Sequence, residues 1–493
     1  MGAAEPLIEN CLAEVIAGTP GVRDLLRQLL EGARQRGDAD AAGCAATVLL
    51  LHTLADFADF RGLAPALTAF DAAPVSPAWR PRADAVLLGR PSLDHRHDHG
   101  ADALVPVRAR LFGALRDGAA MAPDERLLLA KVLVDHDNMR NDMASCARVL
   151  ALMQDVVPQA SLRWQATWWR LAAEIHDYTG DTALAQAAAE RLQALLPCLD
   201  WAEAVLALAC EEMRQALHVD DRVRAERAFR TIEQQRHRVR PALVPRGLRA
   251  QVSLLLRRRE WHTALERTQL ALDLCEDHEV PERDRAGYVE QQAHALTGLG
   301  RHAQAVALLE SLRPSQVGGQ ADVLEAIIAM ARAVMALDAG GTGARETALA
   351  AIRLAAPLHF HRFLMSFPEH AARIADIGLQ AGVETEFLAR AVRERRLVPE
   401  DGGREDWPWA LHVNAFGSLR VRRDGTLLGG QTGKAARKPL ELLALLCAHP
   451  AGVESAELVD LLWPSLDAEA PRASLEMTIA RLRKWLGVAD AVR

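Results

Sequence analysis

A mostly α fold, a right-handed helical-repeat solenoid followed by a small α+β domain, is what three features of the sequence predict. Half the residues are hydrophobic while only 4% are aromatic, which favours helices packed closely through small side chains over a sandwich or barrel. Alanine-centred helix starts recur about every 40 residues through the middle of the chain. Near residue 411 the pattern changes to strand-like alternation and then to three short amphipathic helices. At 493 residues the chain exceeds one typical domain. The expected division is 1–400 for the repeats, 401–410 for a linker and 411–493 for the C-terminal module.

The repeats are read from Asn141-Asp142-x-Ala144, Gly180-Asp181-x-x-x-Ala185, Asp220-Asp221-x-x-x-Ala225, Glu260-Trp261-x-x-Ala264, Arg301-x-x-x-Ala305 and Gly343-Ala344. Each unit predicts a helix, a short polar turn and a second helix that opens with a small residue. Ala293 to Leu299, Gly300-Arg301 and Ala303 to Leu312 show the arrangement. One such hairpin cannot bury its apolar face alone, so neighbours must stack into a solenoid with a concave groove. Such a groove suits a small-molecule or protein effector. Pro399-Glu-Asp-Gly-Gly-Arg-Glu-Asp406 has the composition of a polar linker.

The C-terminal module opens with alternation over Leu411 to Gly417 and Leu419 to Val421, and Asp424-Gly425 is a turn pair suited to positive φ. A helix is expected from Leu440 to Cys447, with Pro439 in its first turn. Lys434, Arg437 and Lys438 crowd its N-terminus, where the dipole makes them poor partners for the helix and good ones for an outside phosphate. Ser455 offers an N-cap for a second helix, Ala456 to Trp463, which Pro464 stops. A third begins between Ala468 and Pro471 and runs to Leu486, with Leu475, Ile479, Leu482 and Leu486 as its core stripe and Gly487 as its C-cap. Arg472, Ser474, Thr478, Arg481, Arg483 and Lys484 occupy its other faces, a cationic and hydroxylated surface suited to the major groove.

Four ordered blocks carry a resemblance: Phe416-Gly417-x-Leu419-x-Val421-x-x-Asp424-Gly425, Lys438-Pro439-Leu440-Glu441-Leu442-Leu443, Leu458-x-x-x-Leu462-Trp463-Pro464, and Leu475-x-x-x-Ile479-x-Arg481-Leu482-Arg483-Lys484-x-Leu486-Gly487. Together they resemble the OmpR-type winged helix of bacterial transcription regulators, in the version found in activators with tetratricopeptide-like repeats. The resemblance implies a third helix in the major groove, with Ser474, Thr478 and Arg481 facing bases and Arg481 suited to a bidentate guanine contact. It implies Lys434, Arg437, Lys438, Arg472 and Lys484 on phosphates. Double-stranded DNA is the implied partner, with RNA polymerase or another regulatory protein beside it. The repeats are also similar to the sensor arm of ATP-dependent bacterial activators, and Phe360 to Leu397 resembles that family's last helices before the linker. Family members follow the third helix with a β-hairpin wing, whereas this sequence ends at Val492-Arg493. The expectation is a missing wing, from a shortened product or a protein that continues, and hence weak, salt-sensitive binding.

The remaining features exclude more than they assign. A net charge of −7 argues against a protein that coats nucleic acid, but residues 411–438 hold Arg420, Arg422, Arg423, Lys434, Arg437 and Lys438 against Asp424. Seven cysteines without a C-x-x-C read as reduced core thiols of a cytoplasmic protein. The acidic N-terminus is no signal peptide and no apolar run reaches membrane-spanning length, so no membrane partner is expected. Gly429-Gly430-Gln-Thr-Gly433-Lys434-Ala435 has Leu428 where a phosphate loop needs its first glycine, and Ala435 cannot ligate Mg²⁺. Gly341-Thr-Gly343-Ala-Arg-Glu346 follows a helix and reads as a turn. Asp94-His95-Arg96-His97-Asp98-His99 carries metal-ligating groups, but the interposed arginine and the Pro/Gly flanks favour a solvated loop. Trp164, Trp168 and Trp169, with His176 and Tyr178, suit core packing better than a ligand pocket. No cofactor, metal or catalytic constellation is assigned, and an enzyme is not expected. The expected function is a DNA-binding transcription regulator; the alternative is a non-enzymatic repeat scaffold for protein partners with a vestigial DNA-binding domain.

Overall fold

The computed structural model describes all residues except 1–4, 57–58, 94–100, 119–120, 180, 200, 219–220, 317–318, 342, 359–366, 403, 405, 416, 418, 430–436, 450–451, 465–469, 488–491 and 493, and describes only the backbone of 5, 56, 101–102, 182, 218, 283–284, 394 and 470–472. The described residues are mostly helical, with one small sheet near the C-terminus. They form two compact units, Met1–Glu384 and Thr385–Arg493. The second unit therefore takes in helix Thr385–Arg395 and residues 401–410. Within it Trp407 is buried and donates from Nε1 to the Leu397 carbonyl at 3.0 Å.

In the first unit the second helices of the repeats begin at Met143, Thr182, Arg222, Trp261, His302 and Ala344, at the expected spacing of about 40 residues. Three are capped by aspartate. Asp142, Asp181 and Asp221 accept the amides of Ser145, Leu184 and Arg224 at 3.0, 3.0 and 3.1 Å, satisfying donors that the first helical turn leaves open. One turn further in, Cys146, Ala185, Ala225, Ala264 and Ala305 are buried, and only side chains this small let neighbouring helices approach so closely. Ala144 is exposed, so Cys146 takes the place expected for it. Ahead of the caps the chain turns through positive φ at Asn141, Arg259 and Gly300. Only the glycine adopts this conformation without steric cost.

A second punctuation closes four of the six units. Short 3₁₀ turns at Val157–Gln159, Leu196–Cys198, Pro241–Leu243 and Arg313–Ser315 each contain a proline, whose fixed φ and missing N–H end one helix before the next begins. The alanine period does not reveal these turns, although the prolines recur with it.

Repeats far apart in sequence also touch, which a solenoid joined only through neighbours would not require. The Phe60 amide donates to the His278 carbonyl at 3.0 Å, and the Gly62 amide to Glu279 Oε2 at 3.2 Å. Gln320 Nε2 donates to the Asn138 carbonyl at 3.1 Å, and Gly319 lies where any Cβ would collide with the Arg140 carbonyl. Beside the first of these contacts Asp59 accepts Arg61 at 2.7 and 2.9 Å and faces Arg23 at 3.3 Å. Burial pushes the Asp59 carboxyl up, but the Arg61 hydrogen bond and the Arg23 charge overcome it and hold the group at about 2. A carboxyl depressed below its unfolded value of about 3.9 stabilises the fold above that pH and loses the contribution as pH falls towards 2, on the order of 2 kcal/mol here. Asp59→Asn is therefore expected to flatten the acid limb of a urea-midpoint profile of the full chain between about pH 4 and 2. An acid limb identical to that of the unaltered protein would refute the assignment.

None of the seven cysteines is in a disulfide; Cys11, Cys146 and Cys275 are buried, whereas Cys198 and Cys447 are exposed and so are not core thiols. Trp164 and Trp168 are core residues, and Trp164 Nε1 donates to the Ile16 carbonyl at 2.8 Å. Trp169 is half-buried beneath the Arg191 guanidinium. The stretch Asp94 to His99 lies outside the described residues. Among the described residues no group of three His, Cys, Asp or Glu side chains is placed to hold a metal, and no helix is long and apolar enough to cross a membrane.

The second unit carries strands Leu411–Asn414, Arg420–Arg423 and Thr426–Leu427, antiparallel and in that order, with Val413 opposite Val421. Asp424 and Gly425, at φ 49° and 77°, form the two-residue turn whose twist matches flanking antiparallel strands. They join the second and third strands, the third being absent from the expected elements. Helices Arg437–Ala448, Ser455–Leu462 and Ala470–Leu486 follow. The first starts three residues before Leu440, and Ser455 is the first helical residue rather than the cap, which is Glu454.

Candidate nucleic-acid interface

Val421 of the sheet and Leu442, Leu443, Leu458, Leu462, Leu475, Leu482 and Leu486 of the three helices share one core. That packing fixes the rotation of helix Ala470–Leu486. Leu475, Leu482 and Leu486 point inward, and Gly487, at φ 69°, donates to the Arg483 carbonyl at 2.9 Å and ends the helix as expected.

Of the three residues expected to face bases, only Arg481 is fully presented. It is exposed and makes no ion pair or hydrogen bond with another described residue. Ser474 is half-buried. Thr478 is only 6% exposed, and its hydroxyl donates to the Ser474 carbonyl at 2.7 Å. The reason is positional, because Thr478 lies three residues after Leu475 and four before Leu482, on the side of the helix that faces the core. Met477 occupies the place left open. It is 54% exposed and falls with Ser474, Arg481 and Lys484 on one stripe of the helix. The helical spacing from Arg481 could have identified it; its apolar character hid it.

The expected phosphate ligands divide more sharply. Lys434 lies outside the described residues, as does the side chain of Arg472, which sits in the first turn of the third helix. Lys484 is exposed. Arg437 and Lys438 are both engaged, because Glu441 accepts Arg437 Nε at 2.7 Å and Lys438 Nζ at 2.8 Å. These hydrogen bonds hold the Glu441 carboxyl below its ordinary range, that from Lys438 most strongly. Lys438 also donates to the Leu462 carbonyl, the open end of helix Ser455–Leu462, and stands 5.7 Å from the Trp463 ring. A phosphate would have to compete with these partners. Arg483 is likewise engaged, donating from Nε and Nη2 to the Val492 carbonyl at 3.0 and 2.6 Å. On the sheet, Arg420 and Arg422 are exposed on either side of buried Val421, while Arg423 reaches the Leu486 carbonyl at 3.4 Å. Among the described residues from Leu411 onward, Arg481, Arg483 and Lys484 of the third helix, Arg420 and Arg422 of the second strand, and Arg437 of the first helix are exposed cations.

No protein-family model matches the chain, and no curated protein matches it. Among solved structures it is similar to a circular tandem repeat protein with novel repeat topology and enhanced subunit contact surfaces, at 14% identity, covering 98% of this chain and 96% of that one. The TM-score of that match is 0.12, too low to carry any argument about function.

Proposed function

We propose that the chain is a DNA-binding transcription regulator. The C-terminal unit is read as an OmpR-type winged helix, and the repeats as a right-handed, tetratricopeptide-like arm that receives an effector or partner in the cytoplasm. RNA polymerase or another regulatory protein is the proposed partner beside DNA. The single observation that carries the reading is the exposed stripe of Arg481, Met477 and Lys484, held outward by a helix whose opposite side is locked into the shared core. Arg481 supplies a planar fork for guanine N7 and O6, Met477 an apolar surface for a thymine methyl, and Lys484 a charge for phosphate. The burial of Thr478 narrows the base-reading set to Arg481 and Met477, with Ser474 at its edge.

Selection from a random duplex library at low salt, followed by fluorescence anisotropy on the enriched sequence, tests the reading. Arg481→Ala is expected to cost about 1–3 kcal/mol, roughly tenfold or more in affinity, and to relax preference at one position. Absence of any duplex binding at low salt, or indifference to this substitution, would overturn it. The scaffold reading draws its support from Arg437 and Lys438, which both pair with Glu441; it is the outcome if the repeats bind a protein partner while the full chain ignores DNA.

A further inference from the structure

The first helices of four successive repeats, Leu162–Tyr178, Ala202–His218, Val244–Arg257 and Glu282–Gly298, pack side by side. They hold both of the chain's tyrosines, and each ring carries a guanidinium: Arg214 stands 5.8 Å from the Tyr178 centroid and Arg249 stands 5.6 Å from that of Tyr288. The acids of this surface already have partners. Glu174 pairs with Arg170 at 3.1 Å, and Arg214 takes both Asp177 and Glu211.

Arg249 differs from these. It is exposed, and its guanidinium makes no ion pair or hydrogen bond with another described residue. Its position is nevertheless built. The guanidinium lies across Gly287, inside the neighbouring helix, where any Cβ would collide with it. Glycine within a helix is destabilising relative to alanine, and here it leaves the space that the arginine fills. Further positive charge converges from the same helices. Burial pushes the Glu174 carboxyl up, yet Arg170, Arg214, Arg246 and Arg249 together hold it below its ordinary range. Burial likewise raises the Cys275 thiol, and Arg285, Arg249 and Arg246 oppose that rise. Glu290 also acts on Arg249 and faces His294 at 4.0 Å.

We propose that Arg249, supported by the Tyr288 ring and Gly287 and flanked by Arg246 and Arg285, binds the oxyanion of a small acidic effector, a carboxylate or phosphate group. A guanidinium seated against an aromatic ring keeps its N–H edge outward, and that edge matches two oxygens at once. The surrounding arginines raise the local concentration of anions. The proposal names the chemistry of the effector in the regulator reading above, but it stands on these arginines and not on DNA binding.

Titration calorimetry on the full chain tests it, with inorganic phosphate and succinate as separate probes and chloride at matched ionic strength as the control. At least one probe is expected to give saturable heat, and which one responds distinguishes phosphate from carboxylate. Arg249→Lys keeps the charge but loses the fork, and is expected to weaken that binding about tenfold. Gly287→Ala is expected to raise the thermal midpoint through helix propensity while weakening binding, opposite effects that a merely structural role would not produce. Arg481→Ala is expected to leave the anion heat unchanged, which separates this site from the DNA-binding reading. The proposal is overturned if neither probe exceeds chloride, or if binding survives unaltered in both Arg249→Lys and Gly287→Ala.

Discussion

Leu482→Ala is expected to unfold the C-terminal unit while the repeats stay folded. Leu482 is fully buried and packs with Leu442, Leu458 and Leu475 in a core that holds three short helices and the sheet together. Truncating a buried leucine to alanine costs about 2–5 kcal/mol, because the cavity adds to the lost transfer energy. That is a large share of the stability of a small domain, typically about 5–15 kcal/mol. Calorimetry of the full chain should show one transition moving down or vanishing while another stays in place, and duplex binding should disappear with the first. A single transition that shifts as a whole would show that the two units do not unfold independently. Met477→Ala, on the exposed side of the same helix, is the matched control and should leave the melting curve unchanged.

In the repeats the largest single loss is expected from Arg108→Ala. Asp137 is almost fully buried near the end of helix Pro123–Met139, and Arg108 meets both its oxygens, at 2.7 and 2.6 Å. The same residue's carbonyl accepts the amides of Arg140 and Asp142 at 3.1 and 2.9 Å, so the turn into the next helix is built on it. Removing one partner of a buried pair leaves an uncompensated charge, at about 3–5 kcal/mol, whereas removing both with apolar residues of similar volume can be nearly neutral. Urea midpoints should therefore place Arg108→Ala well below the unaltered protein and Arg108→Leu with Asp137→Leu above the single variant. If the single substitution costs less than about 1 kcal/mol, the ion pair is not a stabilising contact of this core.

The helix starts were legible because their chemistry is local. An aspartate that caps and a small residue one turn later are both short-range requirements, and Asp142, Asp181 and Asp221 meet them in plain view. The 3₁₀ turns were equally local, but Pro158, Pro197, Pro241 and Pro314 mark the other junction of four of the repeats and do not share the alanine signal. On the third helix the apolar stripe was readable, and so was the danger to Thr478, which shares a side with Leu475 and Leu482. The capture of Arg437 and Lys438 by Glu441 also follows from spacings of four and three residues, the distances at which helical side chains meet. What no local pattern contains is the seating of Arg249 over Gly287, or the meeting of Phe60 with His278, because each joins residues brought together only by the path of intervening helices.

Those meetings between distant repeats also constrain how such a chain can change length. An array held together only by adjacent units can gain or lose a whole unit by duplication or deletion, since every remaining interface is preserved. Here Phe60 must reach His278 and Asn138 must reach Gln320. A unit added or lost between Asp142 and Glu260 would throw both pairs out of register at once. The number of units in that span is thereby fixed as firmly as the sequence of any one of them, and variation is directed to residues within the helices rather than to their count.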